Sequence, residues 1–489
     1  MKQLRPVMFV GTASDVGKSV ITAGFCRIFK QDGYTPSPFK AQNMSLNSYA
    51  TPDGYEIGRA QAVQAEAAGI PCHTDMNPVL LKPVTDQEAQ LVLHGKPAGN
   101  HTAREYFMED DKRALFEEVK GAFNRLLQQY NPVVMEGAGS ISELNLRHRD
   151  ITNMRMALHA GAAVYLITDI DRGGIFGSVY GTLALLPPEE KALVKGIIIN
   201  KFRGDIRLFE DGRQLLENIT GVPVTGVLPY FHDIAIEEED AVVLAQKHKA
   251  WSPTRINIAV VLLPHLSNFT DFHLLEKDQR VNLFYTDQPA AIASADIIIL
   301  PGSKNTIADL MAIRHSGIAG AITEAHTRNK IVIGICGGYQ MMGLSVADPH
   351  GMEGGVARIA GLGLLPVTTV LGKEKVTQQR SFRYRHQDKP CEGYEIHMGI
   401  SVSDTPSPLN TLSNGDMEGY LLNSRCWGTY LHGILDNDVV INDLLQQCGK
   451  ATVPEAFNYR DFKELQYNKL AKHIREHLDI SAVYKALEL

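Results

Sequence analysis

Several features that would assign a chain to a class at sight are missing here. No stretch approaches the ~18 consecutive apolar residues of a membrane span, so no membrane partner is expected. The six cysteines (26, 72, 336, 391, 426, 448) form no C-x-x-C pair and lie far apart. That spacing argues against a zinc site or a disulfide framework and for free thiols in a reducing cytoplasm. Positive charge is not in excess: 48 Lys and Arg stand against 55 Asp and Glu, a formal net charge of −7, which argues against a general nucleic-acid binder. There is no internal repeat and no low-complexity tract, and the opening MKQLRPVMFVG has too short an apolar run for a signal peptide. What remains is ordinary globular composition, 44% hydrophobic and 21% charged over 489 residues, enough for two or three cores.

Apolar strands alternate with helical patterns: PVMFV and then 18–31, VVMEG (133–137), AVYLITD (163–169), GIIIN (196–200) and VTGVLPY (224–230). This is the rhythm of an α/β, doubly wound parallel sheet. Between 234 and 254 it lapses into IAIEEED, AQKHK and SPT, which reads as a linker. A second α/β series follows with NIAVVLL (257–263), ADIIIL (295–300) and IVIGI (331–335); the stretch 352–430 is richer in glycine and short strands. The expected division is 1–233, linker 234–254, 255–445, and a helical tail 446–489. In the tail, Leu465, Leu470, Ile474 and Leu478 suggest an amphipathic helix packed on a domain.

GTASDVGKS (11–19) follows the first strand and opens a helix. A P-loop is G-x-x-x-x-G-K-[ST]; here Thr12 stands at the first glycine position and Gly11 lies one place earlier. The remainder fits a nucleotide phosphate cradle of Gly11, Thr12, Asp15, Gly17, Lys18 and Ser19. Gly17 lets the backbone wrap phosphates, Lys18 reaches a β- or γ-phosphate, and Ser19 can hold Mg²⁺. Glu136, at the end of VVMEGAGS, is placed as a second Mg²⁺ ligand would be. Asn200 and Lys201 end GIIINKF, where they either recognise the base of ATP or form a plain turn. DIDRGGIFGS (169–178) carries phosphate contacts or turns the chain, and RHRD (147–150) supplies local positive charge or a solvated face. Lys40, Gln42, Asn43 and Asn47 in FKAQNMSLNSY suit a substrate rich in carboxylates and amides, or else form a solvated loop.

In IVIGICGGYQMMG, Cys336 sits between a buried-type strand and two glycines, the place in an α/β sheet where ligands bind. Glycines 337 and 338 allow a strained turn and close substrate approach. LPGSKNT (300–306) can direct the Gly302 and Ser303 amides at an oxyanion, and GTYLHGIL (428–435) offers His432 as base. Cysteine, histidine and an oxyanion loop together make an acyl-transfer site.

The loop at 11–19 is similar to that of dethiobiotin synthetase and its relatives, P-loop NTPase-like enzymes that phosphorylate a carboxylate or carbamate. GICGGYQ and LHGI resemble a class I glutamine amidotransferase. There Cys336 is the nucleophile, His432 the base, Gln340 a glutamine contact, and Gly302, Ser303 and Gly337 line the oxyanion site. Most such enzymes carry glutamate two residues after the histidine. Here that position is Ile434, so the orienting carboxylate is absent or supplied elsewhere, with Glu395 of EGYEIH a weak candidate. QNMSLNS, GRAQAVQAEA, MNPVLLKP, EGAGS, DIDRGGIFGS, INKFRGD, PGSKNT, GICGGYQMMG, GYEIHMG and LHGI stand in the order of the cobyric acid synthase family, which this chain resembles nearly end to end. The resemblance implies ATP- and glutamine-dependent amidation of the b, d, e and g carboxylates of (adenosyl)cobyrinic acid a,c-diamide, in the cytoplasm, with ATP and Mg²⁺. Two alternatives are a cobyrinic acid a,c-diamide synthase and a partitioning-type ATPase switch carrying an inactive glutaminase domain.

Overall fold

The computed structural model describes residues 2–84, 88–102, 112–231, 233–237, 251–449 and 458–489, so most of the expected linker lies outside the described residues. Two parallel sheets organise the chain. The first runs, edge to edge, Val224–Pro229, Val194–Phe202, Ala163–Asp169, Val7–Gly11, Val133–Glu136 and Ser37–Phe39, with every pairing parallel. Alternation along the central strand decides the two faces: Met8 and Val10 enter one apolar cluster, Val7 and Phe9 the other. Both faces are therefore covered, as a doubly wound sheet requires. The helix Lys18–Gln31 begins and ends where its pattern predicts.

The second sheet is Val281–Thr286, Ile256–Val261, Ile297–Leu300, Ile331–Ile335 and Cys426–Thr429 in parallel, closed by Tyr420–Asn423 antiparallel. The first strand of each pattern thus lies inside its sheet, and the cysteine and histidine strands end at the same edge of the second.

Three features depart from the sequence reading. The glycine-rich stretch holds the expected short strands, such as Arg358–Ala360 and Asn410–Leu412, but also two long antiparallel ones, Thr368–Tyr384 and Pro390–Val402. Their mixed composition hides them, because half of each faces solvent. A further sheet of Gln42–Met44, Val79–Pro83, Glu88–Leu93 and Lys96–Thr102 grows out of the first domain toward the second. The tail helix Tyr459–His477 packs on the first sheet through Tyr467, Leu470, Ala471 and Ile474, beside Phe25 and Phe29 of the Lys18–Gln31 helix. Leu465 is 52% exposed and does not belong to that face. Five residues before Leu470 it is roughly 140° away around the helix.

Candidate active sites

At the P-loop, Gly17 adopts φ 98°, and a Cβ there would lie 2.2 Å from the Asn200 amide nitrogen, so only glycine fits. Asn200 Nδ2 donates to the Val16 carbonyl (2.8 Å), and Lys201 Nζ to the Asp15 carbonyl (2.5 Å) and the Asp169 carboxylate (3.0 Å). The structure thus places Asn200 and Lys201 as struts of the loop. Lys18 Nζ donates to the carbonyls of Ala13 (2.9 Å) and Gly139 (3.0 Å), drawing the GTASDVGKS and EGAGS loops around one point.

Glu136 lies at that point, 1% exposed. Its Oε1 accepts from Ser19 Oγ and Lys40 Nζ, both at 2.8 Å, and its Oε2 from Gln64 Nε2 at 2.6 Å. Burial pushes its pKa up, but the Lys40 ammonium and the Gln64 and Ser19 donors outweigh this and hold it below the usual carboxylate range. Ser19 and Glu136 together present the hard oxygens that suit Mg²⁺, which needs only one or two carboxylates when phosphate supplies the rest.

The four residues of FKAQNMSLNSY separate. Lys40 joins Glu136, and Gln42 is half-buried in its short strand. Asn43 Nδ2 donates to Gln61 Oε1 inside the first domain (3.1 Å), whereas Asn47 Oδ1 accepts from the Phe269 amide of the second (3.1 Å). Gln64, in GRAQAVQAEA, carries no chemical signature of its own and was not a candidate from sequence.

At the second site, Cys336 has φ 52°, ψ −109°, a strained turn for a non-glycine residue between the strand Ile331–Ile335 and the helix Gly337–Met342. Its amide donates to the Thr429 carbonyl (2.8 Å), which ties the cysteine to the strand leading into His432. A Cβ on Gly337 would lie 2.8 Å from the Ser303 amide, and one on Gly302 3.1 Å from His432 Cε1, so oxyanion loop, nucleophile turn and base meet closely. Ser303 Oγ donates to Asp309 Oδ2 (2.6 Å), which fixes the loop. Gln340 Oε1 accepts from Thr306 Oγ1 (2.9 Å) and its Nε2 donates to the Tyr430 hydroxyl (3.3 Å), bracing the wall of the same cavity.

The missing carboxylate is Asp271. Its Oδ2 is 2.7 Å from His432 Nδ1 and its Oδ1 accepts from the Gly433 amide at 2.9 Å, with both side chains buried. This corrects the expectation for Glu395, which pairs with Arg380 and faces His397 at 3.5 Å. Asp271 comes from a 3₁₀ turn, Phe269–Phe272, 161 residues before the histidine, in LSNFTDF, where no spacing rule would find it. Burial pulls the His432 pKa down, yet the Asp271 carboxylate and the Cys336 thiol push it up to about 10. The arrangement has the parts for acyl transfer: a thiol, an oriented imidazole and a pair of amides.

The first domain closes this cavity. Lys82 and Gln90 of its outgrown sheet line the space shared by Cys336 and His432. Asn268 Oδ1 accepts from the Ser48 amide (3.0 Å), the reciprocal of the bond from Phe269 to Asn47. Behind His432, the Tyr394 ring stacks at 5.3 Å, backed in turn by Tyr49.

Two domain families match the chain. The CobQ/CobB/MinD/ParA nucleotide binding domain family matches residues 7–242, and the CobB/CobQ-like glutamine amidotransferase domain family matches 257–440. The chain is similar to proteins named cobyric acid synthase from Parabacteroides distasonis (59% identity, 100% of each chain), Bacteroides fragilis (58%, 99% of each) and Phocaeicola vulgatus (56%, 99% of each). A nucleotide-binding domain joined to a glutaminase fold makes this enzyme a glutamine-dependent amide ligase. Within that class, the chain belongs to the cobyric acid synthase family.

Proposed function

We propose that this enzyme amidates the b, d, e and g side-chain carboxylates of (adenosyl)cobyrinic acid a,c-diamide in cobalamin biosynthesis, with ATP as energy source and glutamine as nitrogen donor. Residues 1–233 form the ligase unit and 255–445 the glutaminase unit, joined through 234–254, with the tail helix serving the ligase unit. The observation that carries the reading is the buried Asp271–His432 pair beside Cys336, in the same chain as the P-loop cluster of Lys18, Ser19 and Glu136.

The γ-phosphoryl group of ATP passes to a substrate carboxylate and gives an acyl phosphate and ADP. Lys18 neutralises the transferring phosphate, and the amides of 11–19 hold the chain of phosphates. Ser19 and Glu136 would hold Mg²⁺, which would supply further charge neutralisation there. In the other unit, His432 holds the proton of Cys336 while Sγ attacks the glutamine amide carbon, and His432 then gives that proton to the departing ammonia. The Ser303 and Gly337 amides stabilise the oxyanion, and Asp271 keeps the imidazole oriented. Water then cleaves the thioester to glutamate, and ammonia displaces phosphate from the acyl phosphate to leave the amide. A completed Cys–His–Asp set also argues against an inactive glutaminase attached to an ATPase switch.

The test is incubation with ATP, Mg²⁺, glutamine and either cobyrinic acid or its a,c-diamide, followed by mass spectrometry. Four successive acid-to-amide conversions of the a,c-diamide are expected. Conversion confined to cobyrinic acid would assign the a,c-diamide synthase instead, and ATP hydrolysis without glutamate release would assign the switch.

A further inference from the structure

The cavity holding Cys336 and His432 is also lined by Lys82, Lys304, Lys375 and Glu353. Two of these lysines are already matched. Glu56, fully buried, accepts from Lys82 Nζ at 2.6 Å and from Lys375 Nζ across the domain boundary. Lys304 differs: its Nζ donates to a neutral group, Gln90 Oε1, at 3.0 Å. Glu353 also has a neutral partner, the Ile307 amide, which donates to Oε2 at 2.9 Å in the first turn of the helix Thr306–His315. Among the described residues, Lys304 and Glu353 form no ion pair with each other or with another side chain. One cation and one anion thus face the same enclosed space as the nucleophile without touching.

An enclosed pair of separated, opposite charges is unfavourable when empty and favourable around a ligand that carries both complements. Burial and the neighbouring lysines Lys375 and Lys82 pull the Lys304 pKa down to about 7, and burial pushes that of Glu353 up to about 7. Both shifts show that burial disfavours the charged forms in the empty cavity, and complementary charges on a ligand would restore them. An α-amino acid zwitterion supplies an anion and a cation on adjacent atoms, with its side chain free to reach the thiol.

We infer that Lys304 and Glu353 are the specificity residues of the glutaminase site, Lys304 binding the α-carboxylate of glutamine and Glu353 its α-ammonium group. The inference rests on the glutaminase reading of Cys336 and adds what selects the amino acid. Because Gln90 of the ligase unit orients Lys304, the amino-acid site is complete only with the strands Val79–Pro83 and Glu88–Leu93 seated over it.

The test uses the full-length enzyme with ATP and corrinoid present and measures ammonia release from three amides: glutamine, glutaramate (no α-amine) and 4-aminobutanamide (no α-carboxylate). Lys304→Met is expected to lower kcat/KM about 10- to 100-fold for glutamine and glutaramate, the range of one lost hydrogen bond between charged groups, and to spare 4-aminobutanamide. Glu353→Gln is expected to give the mirror pattern, sparing glutaramate. Lys304→Arg should restore most of the preference for glutamine over 4-aminobutanamide. A uniform fall for all three amides, or unchanged selectivity in both variants, would overturn the assignment. Absence of glutamate release by the unmodified enzyme would overturn the glutaminase reading itself, and this inference with it.

Discussion

At the P-loop, the groups aimed at ligand are engaged with protein: Lys18 bonds two loop carbonyls, and Glu136 takes donors from Ser19, Lys40 and Gln64. At Cys336 the thiol also has a protein partner, the Ile396 carbonyl at 3.6 Å, but the framework around it is already set. The strained turn, the Asp271–His432 pair and the Asp309-anchored loop are already in working order around a cavity. The first site must exchange protein contacts for phosphate contacts when nucleotide arrives. The second needs only its amide. A ligase that would lose ammonia to water has reason to keep the thiol end preorganised and covered, and to let the phosphate end change with its ligand.

The sharpest way to separate the two ends is Cys336→Ser. Glutamine-dependent amidation should vanish, while amidation with high ammonium should persist, because the acyl phosphate forms in the other unit. Equal loss with both nitrogen donors would collapse the distinction between the sites.

Legibility in the sequence follows the same divide. Lys18 and Ser19 could be read because they open a helix directly after a glycine, and Glu136 because it ends a strand beside glycines, where local sequence and chemistry coincide. The Cys336 and His432 strands were equally plain. Asp271 was not, since it reaches the histidine from a 3₁₀ turn before a different strand and only the tertiary fold brings them together. Asn47 was readable as a polar loop residue, but its partner, the Phe269 amide, lies 222 residues away. The long strands at 368–402 were obscured by lacking a continuous apolar run.

Asp271→Asn probes the preorganised end. Losing the carboxylate that orients the imidazole should lower glutaminase kcat by about 10²- to 10⁴-fold, with ammonia-dependent amidation retained. Glu395→Gln should not reproduce this, because Glu395 serves Arg380. The pair also makes a stability prediction. His432 is raised from 6.5 to about 10 in the folded chain, so its contribution is fully present below about 6.5 and is lost as pH rises through 10. In Asp271→Asn, burial acts without the carboxylate, the His432 pKa falls, and thermal unfolding across that window should lose this part of its slope. Parallel pH profiles for the two proteins would remove Asp271 from the triad.

Lys18→Ala probes the engaged end and should cut amidation about a hundredfold with either donor, the ~3 kcal/mol typical of one electrostatic contact to a transition state. Glu136→Gln should also raise the Mg²⁺ requirement, since a neutral amide binds this hard cation less well. Wild-type rates with ammonium in the Lys18 variant would dismiss the phosphate assignment, and an unchanged Mg²⁺ titration would dismiss that of Glu136.

The smallest expected effect crosses between the two ends. Asn47 belongs by sequence to the ligase unit, where its amide suits a corrinoid contact, yet its Oδ1 accepts from the Phe269 amide, the first residue of the turn bearing Asp271. Asn268, immediately before that turn, holds the Ser48 amide in return, and its φ of 53° lies in the region that asparagine tolerates better than most residues. Asn47→Ala deletes an acceptor and leaves a buried amide, a loss of roughly 1 kcal/mol or about fivefold if it is fully transmitted to the His432 orientation. The fall should appear in glutaminase kcat and spare the KM for corrinoid when ammonium is the donor. A corrinoid KM raised with ammonium, at unchanged glutaminase kcat, would return Asn47 to the substrate site and leave the two ends without this mechanical link.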